Sequence, residues 1–425
     1  MQKRTDPADR VHWYGGPRPE PRRCEGDRTV ETVIVGGGMA GLMCAERLRA
    51  AGREAVVVEA KFCGSGASGK TSGFITPDSE LELSDLVRNH GPESARRLWD
   101  FAKGGVAAIR AQILEHGFDC DFQVQDSLFV ATSDDGAKVV REEHAAQEQL
   151  GYTSTVYEKK DLAAIVGTDT YFAAIRYPET FGIDSYRYCR ALQARLDVYE
   201  DTPVTAILDD GVATPRAKIT AKNVVVCTDR LLPELHVAED DIYHVQTFLA
   251  VSEPISDAAA LRLFPGDKMM VWDTDTIYTY FRITGDQRLL IGSGNFVSTY
   301  AAREIHDPRR FAKKMYRYLE RRFPGLDVRL DALWPGLIGI SKDFAPIVGR
   351  ETHRPHVLYA GSAAGLPWAA ALGGYLAEKI IDGRSDLDTF FSRQRRFPVS
   401  RRVQAVVGKR AAFAMSHGMA KYLRK

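Results

Sequence analysis

Gly36, Gly38 and Gly41 fall in a G-x-G-x-x-G spacing, and a carboxylate, Glu59, follows the last of them by 18 residues. Together these residue types can hold a dinucleotide. The first glycine permits a tight turn, the second lets the backbone meet a diphosphate directly, and the third allows close helix–strand packing. The diphosphate then lies on the free N–H groups of a helix beginning at Met39 and Ala40. Glu59, with Ala60 and Lys61 beside it, is spaced for the adenosine ribose. A carboxylate there suits a free 2′-hydroxyl, hence NAD or FAD rather than NADP.

A second polar run follows at once, Cys63–Pro77, CGSGASGKTSGFITP. It is too glycine-rich for a strand or a helix. Gly66, Ala67, Ser68 and Gly73 suit a backbone lying against a flat ring or a diphosphate, with Ser68, Thr71 and Ser72 as donors and Lys70 as a cation. Far along the chain, Thr276–Gly294 (TIYTYFRITGDQRLLIGSG) alternates with period two. One face carries Tyr278, Tyr280, Arg282 and Thr284, and the other Ile277, Phe281 and Ile283. Two tyrosines and an arginine on one face can cover a flat ring and grip a carboxylate. The same face also reads as solvated surface. Trp272 precedes it and is placed to wall the same cavity.

The elements that must position these groups are legible nearby. Thr32–Val35 is a buried parallel strand by composition, Met39–Ala51 a helix stopped by Gly52, and Glu54–Val58 a second strand ending on Glu59. Strand, glycines, helix, strand and acidic terminus form one βαβ nucleotide unit. Leu81–Gly151 reads as helices, with Phe122–Ala131 strand-like. Tyr186–Leu196 reads as a helix, Val204–Leu208 as a short strand, and Lys218–Cys227 as a strand that becomes buried. Gly285-Asp286 is a turn signal, so Ile277–Thr284 and Arg288–Ser293 form a hairpin.

At 425 residues the chain exceeds one ordinary core, so two domains are expected. The net charge of +1 gives no global electrostatic case for nucleic acid. The six cysteines are scattered with no C-x-x-C pair, which fits a reduced, cytoplasmic protein. No apolar run approaches a membrane span, residues 1–30 carry no signal peptide, and no metal-ligand spacing occurs. From Arg393 to Lys425 there are ten basic residues and no acidic one. Gly408 and Gly418 interrupt any long amphipathic pattern, which gives little support to membrane association. The tail is expected to pack across the cofactor domain with its basic groups solvated. The arm before residue 29 is expected on the surface, anchored by Trp13 and Tyr14.

Glu59 followed by GSGASGKTSG resembles the E-x(5–7)-G-A-S-G-R-N-G-G run of the D-amino-acid-oxidase-like (DAO) family of FAD-dependent oxidoreductases, most of all the subgroup with gamma-glutamylputrescine oxidase and glycine oxidase. Lys70, Thr71 and Ser72 stand where that motif has Arg, Asn and Gly. Cys227-Thr228-Asp229 is similar to the family's Ala-Thr-Gly strand end against the flavin, with Thr228 matching and Asp229 replacing glycine. Trp334, Gly336, Asp343, Pro346 and Gly349 match a W-x-G…D-x-x-P-x-x-G segment. Val357–Gly374 resembles the family's closing strand, turn and helix, with Gly361, Gly365 and Leu366 at the flavin and a helix over Ala370–Ile381. The family's two histidines are absent there, and no cysteine offers a covalent flavin link.

The resemblance implies an α/β fold: an FAD-binding, Rossmann-like (glutathione-reductase-type) domain with an inserted α+β substrate domain on a mixed β-sheet. The expected division is an arm (1–28), a discontinuous FAD domain (29–80, 181–240 and 327–385), a substrate domain (81–180 and 241–326) and a basic tail (386–425). It also places Val204 at the cofactor. The implied reaction is oxidation of the C–N bond of a small amine or amino acid, with hydride transfer to flavin N5 and hydrolysis of the resulting imine. Arg282 would bind a substrate carboxylate. The electron acceptor, whether oxygen, a quinone or a carrier protein, is left open. Two rivals remain: a flavin-dependent 2-hydroxy-acid or polyol dehydrogenase using His244 as base, and a non-catalytic FAD-bound module whose tail binds a partner or a membrane.

Overall fold

The computed structural model describes residues 7–78, 80–294, 300, 304, 308–363 and 365–422. Its smaller large sheet has the order Asp197–Tyr199, Ala55–Val58, Arg28–Val35, Lys218–Val226, Gly211–Ala213, Ala206–Leu208. Val357–Gly361 also pairs with Lys218–Val226, and Ile347–Arg350 lies beyond it. Val33–Val35, Val56–Val58, Val224–Val226 and Val357–Tyr359 are all buried, as β-branched and apolar runs covered on both faces should be. Their registers align Val58, Val35, Val226 and Tyr359 side by side, so four parallel strands end on one line.

Two helices begin just past that line, Met39–Ala50 and Leu366–Ile381. They pack closely: a Cβ on Gly373 would fall 2.2 Å from the carbonyl oxygen of Ala40. The second helix starts four residues before the expected Ala370, because Gly365 turns the chain and Pro367 occupies the first turn, where a missing N–H costs nothing. The expected Tyr186–Leu196 helix runs instead over Ser185–Gln193, capped by the Asp184 carboxylate. Leu83–His116 is broken at Gly91, where φ is 77° and ψ 163°.

Among the described residues the larger sheet has nine strands, including Leu330–Ile340, Tyr243–Pro254, Arg288–Ser293, Thr279–Ile283 and Met270–Asp273 in that order. Thr279–Ile283 and Arg288–Ser293 form the expected antiparallel hairpin, slightly shortened. Phe281, Ile283, Leu289 and Ile291 face a core completed by the helix Pro308–Arg322, leaving Tyr278 and Tyr280 for the opposite face. Leu330–Ile340, placed by sequence among the cofactor segments, pairs with Tyr243–Pro254 in this sheet instead. Backbone pairing over ten positions outweighs its proximity in sequence to Val357–Gly361.

The tail departs from expectation. Its basic groups are not all solvated: Arg393 and Arg401 reach the fully buried carboxylate of Asp241 at 2.9 and 2.8 Å, and Arg395 grips Asp343 with two bonds of 2.7 Å. The helix Lys409–Tyr422 then buries Ala412 and Phe413 against the body. Met415 and Met419 on this helix remain exposed, as do Val403, Val406 and Val407 on the helix before it, Arg401–Val407. Among the described residues, no helix is long and apolar enough to cross a membrane.

Asp241 is therefore the anchor of the tail. Asp241→Ala is expected to leave two guanidinium groups without their shared partner and to lower stability by about 2 kcal/mol, reduced from a fully buried pair by the partial exposure of both arginines. Thermal unfolding measures the loss, and limited proteolysis should cut between 393 and 408 faster than in the parent.

Candidate active site

At the ends of the four aligned strands lies a cavity of about 250 Å³. Gly38, Met39 and Ala40 enter it from the start of one helix, and Gly365, Leu366 and Pro367 from the start of the other. Helix starts carry unpaired N–H groups and positive partial charge, so both suit an electron-rich ligand. Ser68 completes the first of them, accepting from Met39 N at 2.9 Å. Gly36 has φ 110°, and a Cβ there would lie 2.6 Å from the carbonyl oxygen of Cys227. A Cβ on Gly41 would lie 2.0 Å from that of Gly36, so helix and strand close only around glycine.

The run from Cys63 to Pro77 is held by its own carbonyls. Tyr14 Oη donates to Gly64 O and Ser65 O (2.9 and 3.0 Å), Trp334 Nε1 to Lys70 O (3.0 Å) and Trp13 Nε1 to Thr71 O (2.9 Å). Arg282 Nε donates to Ser72 O (2.8 Å) and Ile183 N to Gly73 O (2.9 Å). A loop that looks mobile by composition is thus pinned by buried aromatic and guanidinium donors. Ala67, Ser68, Lys70, Thr71 and Ser72 line the cavity. The arm does more than lie on the surface, since Trp13 is buried and both its aromatic residues hold this loop.

Arg282 itself is fully buried and does not line the cavity. Its Nη2 donates to Ile183 O at 2.7 Å, so the fork expected at a substrate carboxylate joins two backbone segments instead. Burial pushes its pKa down to about 10, which keeps it charged at neutral pH. The alternation was right about the strand but not about what lay beyond the arginine: Gly73 and Gly182 leave just enough room for the guanidinium. Tyr278 and Tyr280 do line the cavity, as does Trp272.

Glu59 is half-buried; its carboxylate accepts from Gly37 N (2.7 Å), Lys61 N (2.9 Å) and Ser65 Oγ (3.3 Å). Burial raises its pKa, opposed by those donors. Ala60, Lys61 and Gly66 are exposed, and Val204 packs half-buried beside the smaller sheet's core. None of these, nor Gly36, Gly41, Gly73 or Thr228, lines the cavity, whereas Gly336 and Gly361 do. Thr228 Oγ1 is buried without a hydrogen-bond partner. Asp229 adopts φ 49°, the conformation a glycine would take, and its carboxylate accepts from Gly339 N (2.6 Å) and Ser362 N (3.0 Å). An aspartate can therefore replace glycine there, because its side chain stitches the larger sheet to the turn after Gly361. Burial raises its pKa first, and the backbone donors oppose that.

Sequence reasoning missed three polar groups. Phe74, Thr76, Asp78 and Glu80 all line the cavity, every second residue of one segment. Tyr278 Oη donates to Glu80 at 2.8 Å and Tyr177 Oη to Asp78 at 3.1 Å. The alternation in F-I-T-P-D-S-E was the available signal. A second cavity of about 400 Å³ adjoins the first, sharing Glu80, Thr247, Tyr278, Tyr280 and Ile338. The tail helix closes it with Ala414, His417 and Gly418. His244 lines neither cavity.

Residues 31–379 match the family described as FAD dependent oxidoreductase (DAO), and the chain belongs to it. It is 29% identical over 381 residues to gamma-glutamylputrescine oxidoreductase of Escherichia coli (strain K12), covering 85% of this chain and 86% of that one. Its fold is similar to L-proline dehydrogenase from P. horikoshii (TM-score 0.73, 21% identity, 86% and 97% covered). It is likewise similar to glycine oxidase from Geobacillus kaustophilus (TM-score 0.72, 18% identity, 87% and 100% covered). The protein is thus an FAD-dependent oxidoreductase of mixed α/β fold. The cavity fits that cofactor: two helix starts converge on it, its floor at Gly38 carries no side chain, and the buried Thr228 Oγ1 nearby lacks a partner.

Two substitutions test these placements. Glu59→Gln should weaken FAD binding about tenfold or more, since a neutral amide replaces a charge-assisted acceptor and turns a donor toward Gly37 N or Lys61 N. Turnover should recover with FAD in excess; unchanged affinity would place the adenosine elsewhere. Arg282→Ala should lower stability by roughly 3 kcal/mol or more, because Ser72 O and Ile183 O lose their donor. Flavin retention should fall with it. A normal melting temperature with selective loss of carboxylate-bearing substrates would return Arg282 to the substrate.

Proposed function

We propose that the protein oxidises the C–N bond of a small amine. The observation that carries this reading is the charge of the cavity beside the cofactor site. Asp78 and Glu80 bring carboxylates to it, aromatic faces of Trp272, Tyr278 and Tyr280 wall it, and no arginine is among the described residues lining it. Its one lysine, Lys70, is ion-paired to Glu304 at 2.8 Å. A cationic amine is drawn into such a site and an amino-acid carboxylate is repelled.

FAD, when bound, supplies the two-electron acceptor for the C–H bond next to nitrogen. The chain's own residues bind and orient. Asp78 and Glu80 attract the ammonium form, and the aromatic walls exclude water and hold the methylene chain. The substrate nitrogen must shed a proton before the C–H bond reacts, and a neighbouring carboxylate is a fitting acceptor for it. The oxidised product, an imine, takes up water to give a carbonyl compound and an amine.

The relatives named for glycine and proline favour an amino acid instead, and the E. coli relative named for an acylated diamine favours the amine reading. A 2-hydroxy acid would need a base for its hydroxyl proton, and His244, the candidate, is outside both cavities. Anaerobic mixing with a panel of amines, amino acids and hydroxy acids, followed by bleaching of flavin absorbance, separates these. Amines without a carboxylate should reduce the flavin at least tenfold faster than α-amino acids, and hydroxy acids should leave it oxidised. Amino acids reacting faster than amines would overturn the proposal.

A further inference from the structure

The tail's two helices, Arg401–Val407 and Lys409–Tyr422, each bury one face and expose the other. In the first, Gln404 is buried, while Val403, Val406 and Val407 are exposed, Val406 to 86%. Their spacing puts the three valines on one side of the helix. In the second, Ala412, Phe413, Ser416 and His417 are buried, and Ala411, Met415 and Met419 form the outer stripe. The inner faces meet at one residue: Lys342 Nζ donates to Gln404 Oε1 at 2.9 Å and lies 5.8 Å from the centre of the Phe413 ring. Both helices therefore rest on the body side by side, and their outer faces point away from it together. Gly408, with φ 83°, turns the chain between them. The glycine that interrupts the sequence pattern thus joins two apolar faces instead of ending one.

A helix face turned to water ordinarily carries charge, whereas these carry valine, methionine and alanine. Cations lie around them. Arg393, Arg395 and Arg401 are taken up by Asp241 and Asp343, but Arg396, Arg402 and Arg410 are exposed. No acidic residue occurs between Arg393 and Lys425. Glu239 and Asp240 meet the tail on its inner side, where their backbone carbonyls accept from Lys409 Nζ and Gln404 Nε2. An apolar face with cations around it and no carboxylate of its own matches an anionic bilayer: the acyl region takes the apolar side chains and the headgroups take the guanidiniums. A second copy of this chain fits worse, because a self-complementary contact would set the same guanidiniums against each other.

We propose that the outer face of the tail is a peripheral docking surface for an anionic phospholipid membrane. No helix among the described residues can span a bilayer, so the attachment is interfacial, with Val403, Val406, Val407, Met415 and Met419 entering the headgroup boundary. The second helix roofs the outer cavity from its other side, through Ala414, His417 and Gly418. Docking therefore brings that cavity within about 10 Å of the lipid, the diameter of one helix.

Co-sedimentation of the FAD-loaded full chain with vesicles tests this and needs no turnover. Vesicles of phosphatidylcholine with about one-third phosphatidylglycerol should bind the protein on the order of tenfold more tightly than phosphatidylcholine alone. Arg402→Glu combined with Arg410→Glu should weaken binding to the anionic vesicles about tenfold or more, and Val406→Asp combined with Met415→Asp by at least as much. All four side chains are exposed, so both double variants should keep the parent's flavin spectrum and melting temperature. Leu114→Asp, at an exposed apolar residue of another helix, should bind as the parent does. If one double variant loses its flavin, the other decides. Absence of binding to anionic vesicles would overturn the proposal. So would binding that salt abolishes but Val406→Asp with Met415→Asp leaves unchanged, since that is adsorption by charge alone. A concentration-dependent dimer that the same variant dissociates, with vesicle binding unaltered, would assign the face to a second copy and overturn it too.

Discussion

Backbone register is the constraint on which the rest of this structure depends. Ala55–Val58, Arg28–Val35, Lys218–Val226 and Val357–Gly361 are parallel and aligned so that their carboxyl ends form one edge. Everything chemical follows that edge: Glu59, Gly36–Gly38, Thr228-Asp229 and the turn after Gly361. In an open α/β sheet, ligands sit outside the carboxyl ends of strands because that is where loops and helix starts converge. A slip of one residue in any of these strands would turn its side chains to the wrong face and carry its loop away from the cavity. The contact of Gly373 with the Ala40 carbonyl fixes the same convergence from the helix side.

Rigidity in the glycine-rich run has a comparable origin. A segment of small residues has no side-chain packing to hold it, so its backbone carbonyls carry the load. Tyr14, Trp13, Trp334 and Arg282 supply the donors, and they come from the N-terminal arm and from two strands of the larger sheet. With its carbonyls turned outward to these partners, the run presents its small side chains inward to the cavity. Preorganisation of this kind lowers the ordering cost of binding, since the loop is set before a ligand arrives.

Charge then divides the molecule's surface from its interior. The chain is nearly neutral overall, yet the cavities are lined mainly by carboxylates, tyrosines and apolar groups. The basic tail directs Arg393 and Arg401 to Asp241 and Arg395 to Asp343, and among the described residues it brings Ala414, His417 and Gly418 to the outer cavity.

What the sequence by itself determined is what depends on near neighbours. The βαβ unit with Gly36, Gly38, Gly41 and Glu59, the hairpin around Gly285-Asp286, and the facing of Tyr278 and Tyr280 away from Phe281 follow from local spacing and periodicity, which a chain of residues displays directly. Resemblance extended that to the cofactor and the family. Only the tertiary structure decided what each charged group meets. Arg282 finds a carbonyl 210 residues away, Tyr278 a carboxylate 198 away, and Arg401 a buried aspartate 160 away. Periodicity told which way Arg282 pointed but not that Ser72 and Ile183 stood there to receive it. Thr76 was read only as part of the Cys63–Pro77 loop, and Asp78 and Glu80 drew no reading, because a carboxylate's role is set by the surfaces that desolvate it, and those belong to other strands. Electrostatic and hydrogen-bonding roles are properties of a neighbourhood, and distant neighbours are assembled only by the fold.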